Sequence, residues 1–266
     1  MSVIPDRLHG PILVTLSITI GTGGWSGYVL ALPAVLLFPA LWAHARSRWM
    51  AALVSAGYFL AATRGLPQGV ANFYGTDLWP GFLLWIGASL SFVAVHAALW
   101  TRHPGRGRAV RYLIAATLMA VPPLGIAGWA HPVTAAGMVL PGWGWWGLTI
   151  TTAGLAIMTT RWGWPLAALV FAGFWLWSAA TWTPADQTEG WQGIDLRQGK
   201  SLGRDIALGQ HLELIALVRV AAGHGARVVV LPESALGFWT PTVQRLWQDG
   251  PARVKNHSDG RCRRRR

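Results

Sequence analysis

Glu233 is the residue whose setting looks most like a chemical group held for use. It stands in Leu231-Pro232-Glu233-Ser234-Ala235, directly after Arg227 to Leu231, a valine-rich run that suits a strand buried on both faces. In parallel α/β sheets, ligand and catalytic groups collect at the carboxyl ends of strands, where side chains project into a crevice. A carboxylate partly removed from water there binds its proton more tightly and can serve as a general base. On spacing alone, a solvated turn residue fits the same pattern.

The other reactive types are less well set. Cys262, the sole cysteine, lies in Asp259-Gly260-Arg261-Cys262-Arg263. The arginines would make its thiol reactive, but a nucleophile needs a fixed elbow within reach of its base, and no strand pattern precedes it. A single cysteine also excludes an internal disulfide. Lys255 shares that tail, and Lys200 precedes the Glu233 motif as a loop residue. His44, His96, His103 and His131 fall at or near the ends of apolar runs, without a convincing metal-ligand spacing. They read as interfacial, and no metal or cofactor is expected. Asp77, with Asn72 and Tyr74 nearby, reads as a solvated loop or the entrance to an outer-face site. Gly21 to Gly24 lacks the lysine of a phosphate loop and reads as a tight hairpin between apolar runs.

The run RVVVLPESALG, Arg227 to Gly237, resembles the first catalytic motif of the nitrilase (carbon-nitrogen hydrolase) superfamily, in which a Glu follows a hydrophobic strand. A multi-span N-terminal region followed by such a motif is similar to the apolipoprotein N-acyltransferase family, as is WQGIDLRQGK, Trp191 to Lys200. The glycine- and tryptophan-rich Gly21 to Pro39 is closer still to plasmid-borne members that serve conjugal transfer. The resemblance implies a Glu base, a charge-stabilising Lys and a Cys nucleophile that carries an acyl group taken from phospholipid. Of these only the Glu carries over, to Glu233; the Lys and Cys belong to later strands. The chain is therefore expected to be a truncated, non-catalytic relative. The alternative is an acyltransferase working through the full triad. Membrane lipids and other conjugation or envelope proteins are the partners implied.

The elements that must position Glu233 begin with a greasy region. Of 266 residues, 53% are hydrophobic and 12% charged, against roughly 25% charged in soluble domains. Asp77 is the only acidic residue between Pro11 and Trp182. About seven transmembrane runs are expected, over 11–25, 27–44, 49–63, 79–100, 110–129, 134–158 and 162–182. The first is short and follows Arg7, as in a signal peptide, but has no evident cleavage site and reads as retained. Trp79, Trp100, Trp129, Trp162, Trp164 and Trp182 suit an interfacial belt, and Trp143, Trp145 and Trp146 lie among glycines.

Arg46 and Arg48, then Arg102, Arg106, Arg108 and Arg111, then Arg161 occupy alternate loops. The positive-inside rule puts these in the cytoplasm with the N-terminus, and the region after Trp182 in the periplasm. This makes the chain a multi-pass protein of the bacterial inner membrane. The expected fold class is an α-helical polytopic membrane domain, 1–183, followed by an incomplete nitrilase-like α/β domain, 184–248. That second part reads as a strand over Gly190 to Leu196, a helix over Leu202 to Ala222 and the strand before Glu233. A basic tail, 249–266, reads as disordered, and its composition also fits a frameshift.

The net charge of +12 does not indicate a specific nucleic-acid partner. Half of it lies from Pro251 onward, where seven cations less Asp259 leave +6, and most of the remaining cations sit in short loops.

Overall fold

The computed structural model describes residues 6–127, 130–183, 189–194, 204–231, 235–237 and 239–248. These divide into two compact units, one of residues 1–68 and 78–183 and one of residues 69–77 and 184–266.

Breaks in the sequence set the helices of the first unit. Helix α1, Asp6–Gly24, takes in the glycines read as a hairpin, and the turn itself comes later, at Gly27 with φ +92°. The next apolar run is not one α-helix. Val29–Leu37 winds as a 3₁₀ helix containing Pro33, and only Phe38–His44, α2, is α-helical. Helix α3, Arg48–Ala62, begins where the Ser47 hydroxyl accepts the Met50 N–H at 3.1 Å.

Helices α4, Leu66–Tyr74, and α5, Leu78–Leu99, follow. Helix α6, Arg106–Ala120, stops before Pro122, which has no N–H to continue it. The sixth apolar run is divided at Pro141-Gly142 into a short α7, Ala136–Val139, and α8, Gly144–Met158; α9 is Trp164–Thr181.

This corrects the expected seven spans. Among the described residues, two helices are long and apolar enough to cross a bilayer, Leu78–Leu99 and Trp164–Thr181. The physical reason is polarity for α1, whose 19 residues open on Asp6, Arg7 and His9 and carry several hydroxyls, and length for three others. Helices α3, α6 and α8 have 15 residues each, about 22 Å of rise, against about 30 Å of hydrocarbon. Apolar composition alone does not distinguish a span from a buried helix.

Close backbone approach joins α1 to α3. A Cβ on Gly21 would stand 2.6 Å from the Tyr58 carbonyl oxygen, and the Ser17 hydroxyl donates to the Val54 carbonyl at 2.6 Å. Helix α3 meets α5 through the Trp85 indole, which donates to the Leu60 carbonyl at 3.1 Å, and through the Phe59–Phe92 ring pair at 5.2 Å. The core is aromatic: Phe38, Trp42, Tyr58, Phe59, Phe92 and Tyr112 are fully buried or nearly so.

In the second unit, β1, Trp191–Gly193, pairs in parallel with β2, Val228–Val230, and α10, Arg204–Gly223, runs between them. Trp191 faces Val228 and Gly193 faces Val230. The helix buries Leu214, Ile215 and Ala221, whereas Leu208 and Leu212 are exposed. Gly225, at φ +94°, turns the chain into β2. Residues 241–248 form a further short helix. The expectation that the valine strand is buried on both faces is not met. Val228 and Val230 are exposed, because the described residues give β2 one strand neighbour and one helix.

Candidate functional site

Strand β2 delivers the chain to Leu231, and the next described residue is Ala235, 4% exposed. Glu233, the expected base, lies outside the described residues, as do Lys200, Lys255, Cys262 and the whole 249–266 tail. What is described is the frame around Glu233: a parallel strand entering, then the buried Ala235 and Gly237 at φ +56°.

The histidines sort differently from the expectation of four interfacial residues. His103 is exposed. His44 contacts the Ala40 carbonyl through Nδ1 at 2.7 Å and meets the Trp164 ring edge-on at 5.5 Å. His96 is 1% exposed and sits inside the aromatic core, with Phe59 at 5.1 Å, Phe38 at 5.4 Å and Tyr112 at 6.1 Å. Its Nδ1 donates to the Phe92 carbonyl at 2.8 Å, so the ring packs the core and takes no boundary position.

His131 is buried as well. Nε2 donates to the Ala116 carbonyl at 3.0 Å, and Nδ1 accepts the Val133 N–H at 3.0 Å. The second bond requires a lone pair on Nδ1, which fixes the neutral form. Burial lowers its pKa, against the opposing effect of the Ala116 hydrogen bond. Beside it, the Tyr58 hydroxyl donates to the Ala130 carbonyl at 3.0 Å and accepts the Trp25 indole N–H at 3.2 Å.

The four arginines from the loop after α5 into the first turns of α6 are not equivalent. Arg102, Arg106 and Arg111 are exposed, whereas Arg108 is 8% exposed. Its Nη1 donates to the Ala43 carbonyl at 2.8 Å and its Nη2 to the Arg102 carbonyl at 3.0 Å. Burial pulls its pKa down. Trp100, expected at the interface, is 7% exposed. The sequence signalled neither residue's burial; the one hint was a dense arginine cluster with no carboxylate near it.

Asp77, Asn72 and Tyr74 are exposed in the second unit. Trp79, Trp162 and Trp182 are exposed, Trp129 lies outside the described residues, and Trp145 and Trp146 are exposed beside Gly144. Among the described residues no three His, Cys, Asp or Glu side chains gather as a metal set. The buried described polar groups His96, His131 and Arg108 are bonded to backbone carbonyls.

Carbon-nitrogen hydrolase is the family that matches, over residues 60–216. That is more than half of the chain, which belongs to this family. The match begins in α3 and ends in α10, which corrects the expectation of a family domain confined to 184–248 behind a separate membrane domain. The chain is 61% identical over 255 residues to the conjugal transfer protein TraB of Agrobacterium fabrum, covering 92% of this chain and 60% of that protein. It is 62% identical over 242 residues to a probable conjugal transfer protein TraB of Sinorhizobium fredii, covering 91% and 62%. A third relative, an uncharacterised protein outside the virF region of Agrobacterium tumefaciens, is 59% identical over 88 residues, covering 33% of this chain and 59% of that protein. The chain thus spans about three-fifths of the length of its two TraB relatives. No solved structure matches it.

Proposed function

We propose that the chain is an integral component of the bacterial cytoplasmic membrane that serves conjugative plasmid transfer, through lipid and through contacts with other conjugation or envelope proteins. These 266 residues do not perform covalent acyl transfer. One observation carries the membrane reading: α5 and α9 turn large apolar side chains outward. Leu83 is 58% exposed, Leu169 70% and Leu176 67%. In water such surface costs about 25 cal/mol per Å², and in lipid it costs nothing comparable.

The ends of the helices agree with that reading. Helix α9, with 18 residues, rises about 27 Å and α5, with 22, about 33 Å. Both are close to the roughly 30 Å hydrocarbon thickness. Exposed Trp162 and Trp182 flank α9, and Trp79 opens α5. Arg102 follows α5 and Arg161 precedes α9, so these ends belong in the cytoplasm and residues after Thr181 emerge on the outer side.

The relatives' names support a role in conjugation. The non-catalytic reading is supported by Cys262, the only thiol of the sequence, which stands among arginines with no strand-like run of residues before it. The alternative is a membrane-bound N-acyltransferase that uses Glu233 as base, and the LPESA run favours it.

Fractionation tests the first point: the chain should stay with membranes through an alkaline wash and need detergent for release. Recovery as a dispersed soluble monomer would overturn it. Incubation of purified protein with labelled phospholipid should leave no hydroxylamine-labile adduct. A robust adduct would select the acyltransferase reading. A periplasmic reporter joined after Trp182 should be active, and cytoplasmic-only activity would reverse the orientation.

A further inference from the structure

We infer that the corner between α7 and α8, residues 141–146, is a lipid-surface anchor whose three indoles lie in the headgroup boundary of the leaflet opposite Arg161. The inference rests on the membrane reading of α9. In Pro141-Gly142-Trp143-Gly144-Trp145-Trp146, left-handed glycines stand on either side of Trp143, at φ +80° for Gly142 and +52° for Gly144. A side chain strains that backbone, so glycine permits the turn. The turn opens α8 with Trp143, Trp145 and Trp146 all exposed, Trp145 at 84%.

Packing sets the height of this corner. Residues 159–163 join the end of α8 to the start of α9, the Phe171 ring lies where a Cβ on Gly154 would go, and α7 packs on both helices. The two helices therefore run antiparallel from a common level at Arg161. Trp145 lies thirteen residues before the end of α8, and Trp177 thirteen residues after the start of α9. Helical rise puts each about 20 Å from that level, and Trp177 is exposed as well. The corner thus stands one turn short of the far end of α9, a helix long and apolar enough to cross a bilayer.

The chemistry selects a lipid surface. An indole joins a large apolar ring to one N–H donor, which suits the boundary where acyl chains meet ester and phosphate acceptors. Water leaves the rings unburied, and the hydrocarbon interior leaves the N–H unpaired. Protein partners are placed by complementary charge, whereas no Asp, Glu, Lys or Arg occurs from Tyr112 to Thr160. Helix α8, too short to cross, is held at this end by the leaflet it reaches.

The test uses the full chain carrying Cys262→Ser and one fluorophore, attached at Trp145→Cys or at Leu169→Cys, in phosphatidylcholine–phosphatidylglycerol nanodiscs. Quenchers are aqueous iodide and lipid nitroxides placed on the headgroup or near the acyl-chain end. The label at 169 should respond to the chain-end nitroxide. The label at 145 should respond to the headgroup nitroxide more than to the chain-end one, and weakly to iodide. Adding Trp143→Ser and Trp146→Ser should reduce headgroup quenching at 145 and raise iodide quenching. Iodide quenching at 169 without nitroxide quenching sinks the membrane reading, and the anchor with it. With 169 in lipid, the anchor alone is overturned if 145 is open to iodide, follows the chain-end nitroxide, is shielded from all three quenchers as beneath a protein, or is unchanged by the two serines.

Discussion

The Arg108 guanidinium bridges 65 residues of sequence to reach the Ala43 carbonyl oxygen at 2.8 Å. Ala43 lies in the last turn of α2, where carbonyl groups have no partner within the helix. Arg108 therefore closes the end of α2 from the first turn of α6, and its second arm fixes Arg102. Replacing it with Lys keeps the charge and loses the fork. Arg108→Lys should lower stability by about 1.5–3 kcal/mol, read as a drop in the thermal midpoint in detergent. An unchanged midpoint would show that the carbonyl contacts contribute nothing net.

His131 predicts a pH dependence. Its folded-state pKa lies below the ordinary histidine value because burial disfavours the charged ring. The unfolded chain then binds more protons. Stability should be intact above about pH 6.5, the unperturbed value, and decline as the pH falls below it. Unfolding of wild type and His131→Gln at pH 7.5, 6.5 and 5.5 checks this. The variant should lose part of the acid-side slope, and identical slopes would remove His131 from the account.

The contact of α1 with α3 predicts a contrast between two neighbouring glycines. A methyl group on Gly21 collides with the Tyr58 backbone, whereas one on Gly23 meets nothing within 4 Å. Gly21→Ala should destabilise by about 1–3 kcal/mol, and Gly23→Ala should be neutral or stabilising by up to about 1 kcal/mol. Parallel melting curves decide it, and equal effects would mean that the two helices do not approach as described.

Leu169 separates lipid from water as the surroundings of α9. It is 70% exposed, so Leu169→Arg should be harmless in water. Near the middle of a bilayer-spanning helix it should cost about 2.5–3.5 kcal/mol and sharply reduce the amount of protein recovered with membranes. Normal membrane yield would count against α9 as a lipid-facing span.

Helix ends were legible only in part: Pro122 and Pro141-Gly142 lie inside runs expected to cross unbroken, 110–129 and 134–158, yet α6 stops before the first and α7 and α8 are separated at the second. The number of crossings was not legible. Runs read as crossings from their apolar residues end at 15 residues in Arg48–Ala62 and Gly144–Met158, or wind as 3₁₀ through Val29–Leu37. The parallel pairing of Trp191–Gly193 with Val228–Val230 followed from the strand-helix-strand pattern, but its exposure did not, since burial depends on neighbours a strand cannot encode.

The candidate sites divide along the same line. Glu233 stood out through its place after a hydrophobic strand, a local pattern. His96, His131 and Arg108 did not, because their partners Phe38, Ala116 and Ala43 lie on other elements of the chain.

The 3₁₀ winding of Val29–Leu37 makes the connection to α2 unusually intolerant of length changes. Each residue there advances the chain about 2.0 Å and rotates it about 120°, compared with about 1.5 Å and 100° in an α-helix. Deleting one residue would swing the face of α2 by a third of a turn. The Trp42 indole would leave the His96 carbonyl, and the Ala43 oxygen would leave Arg108, in a single step.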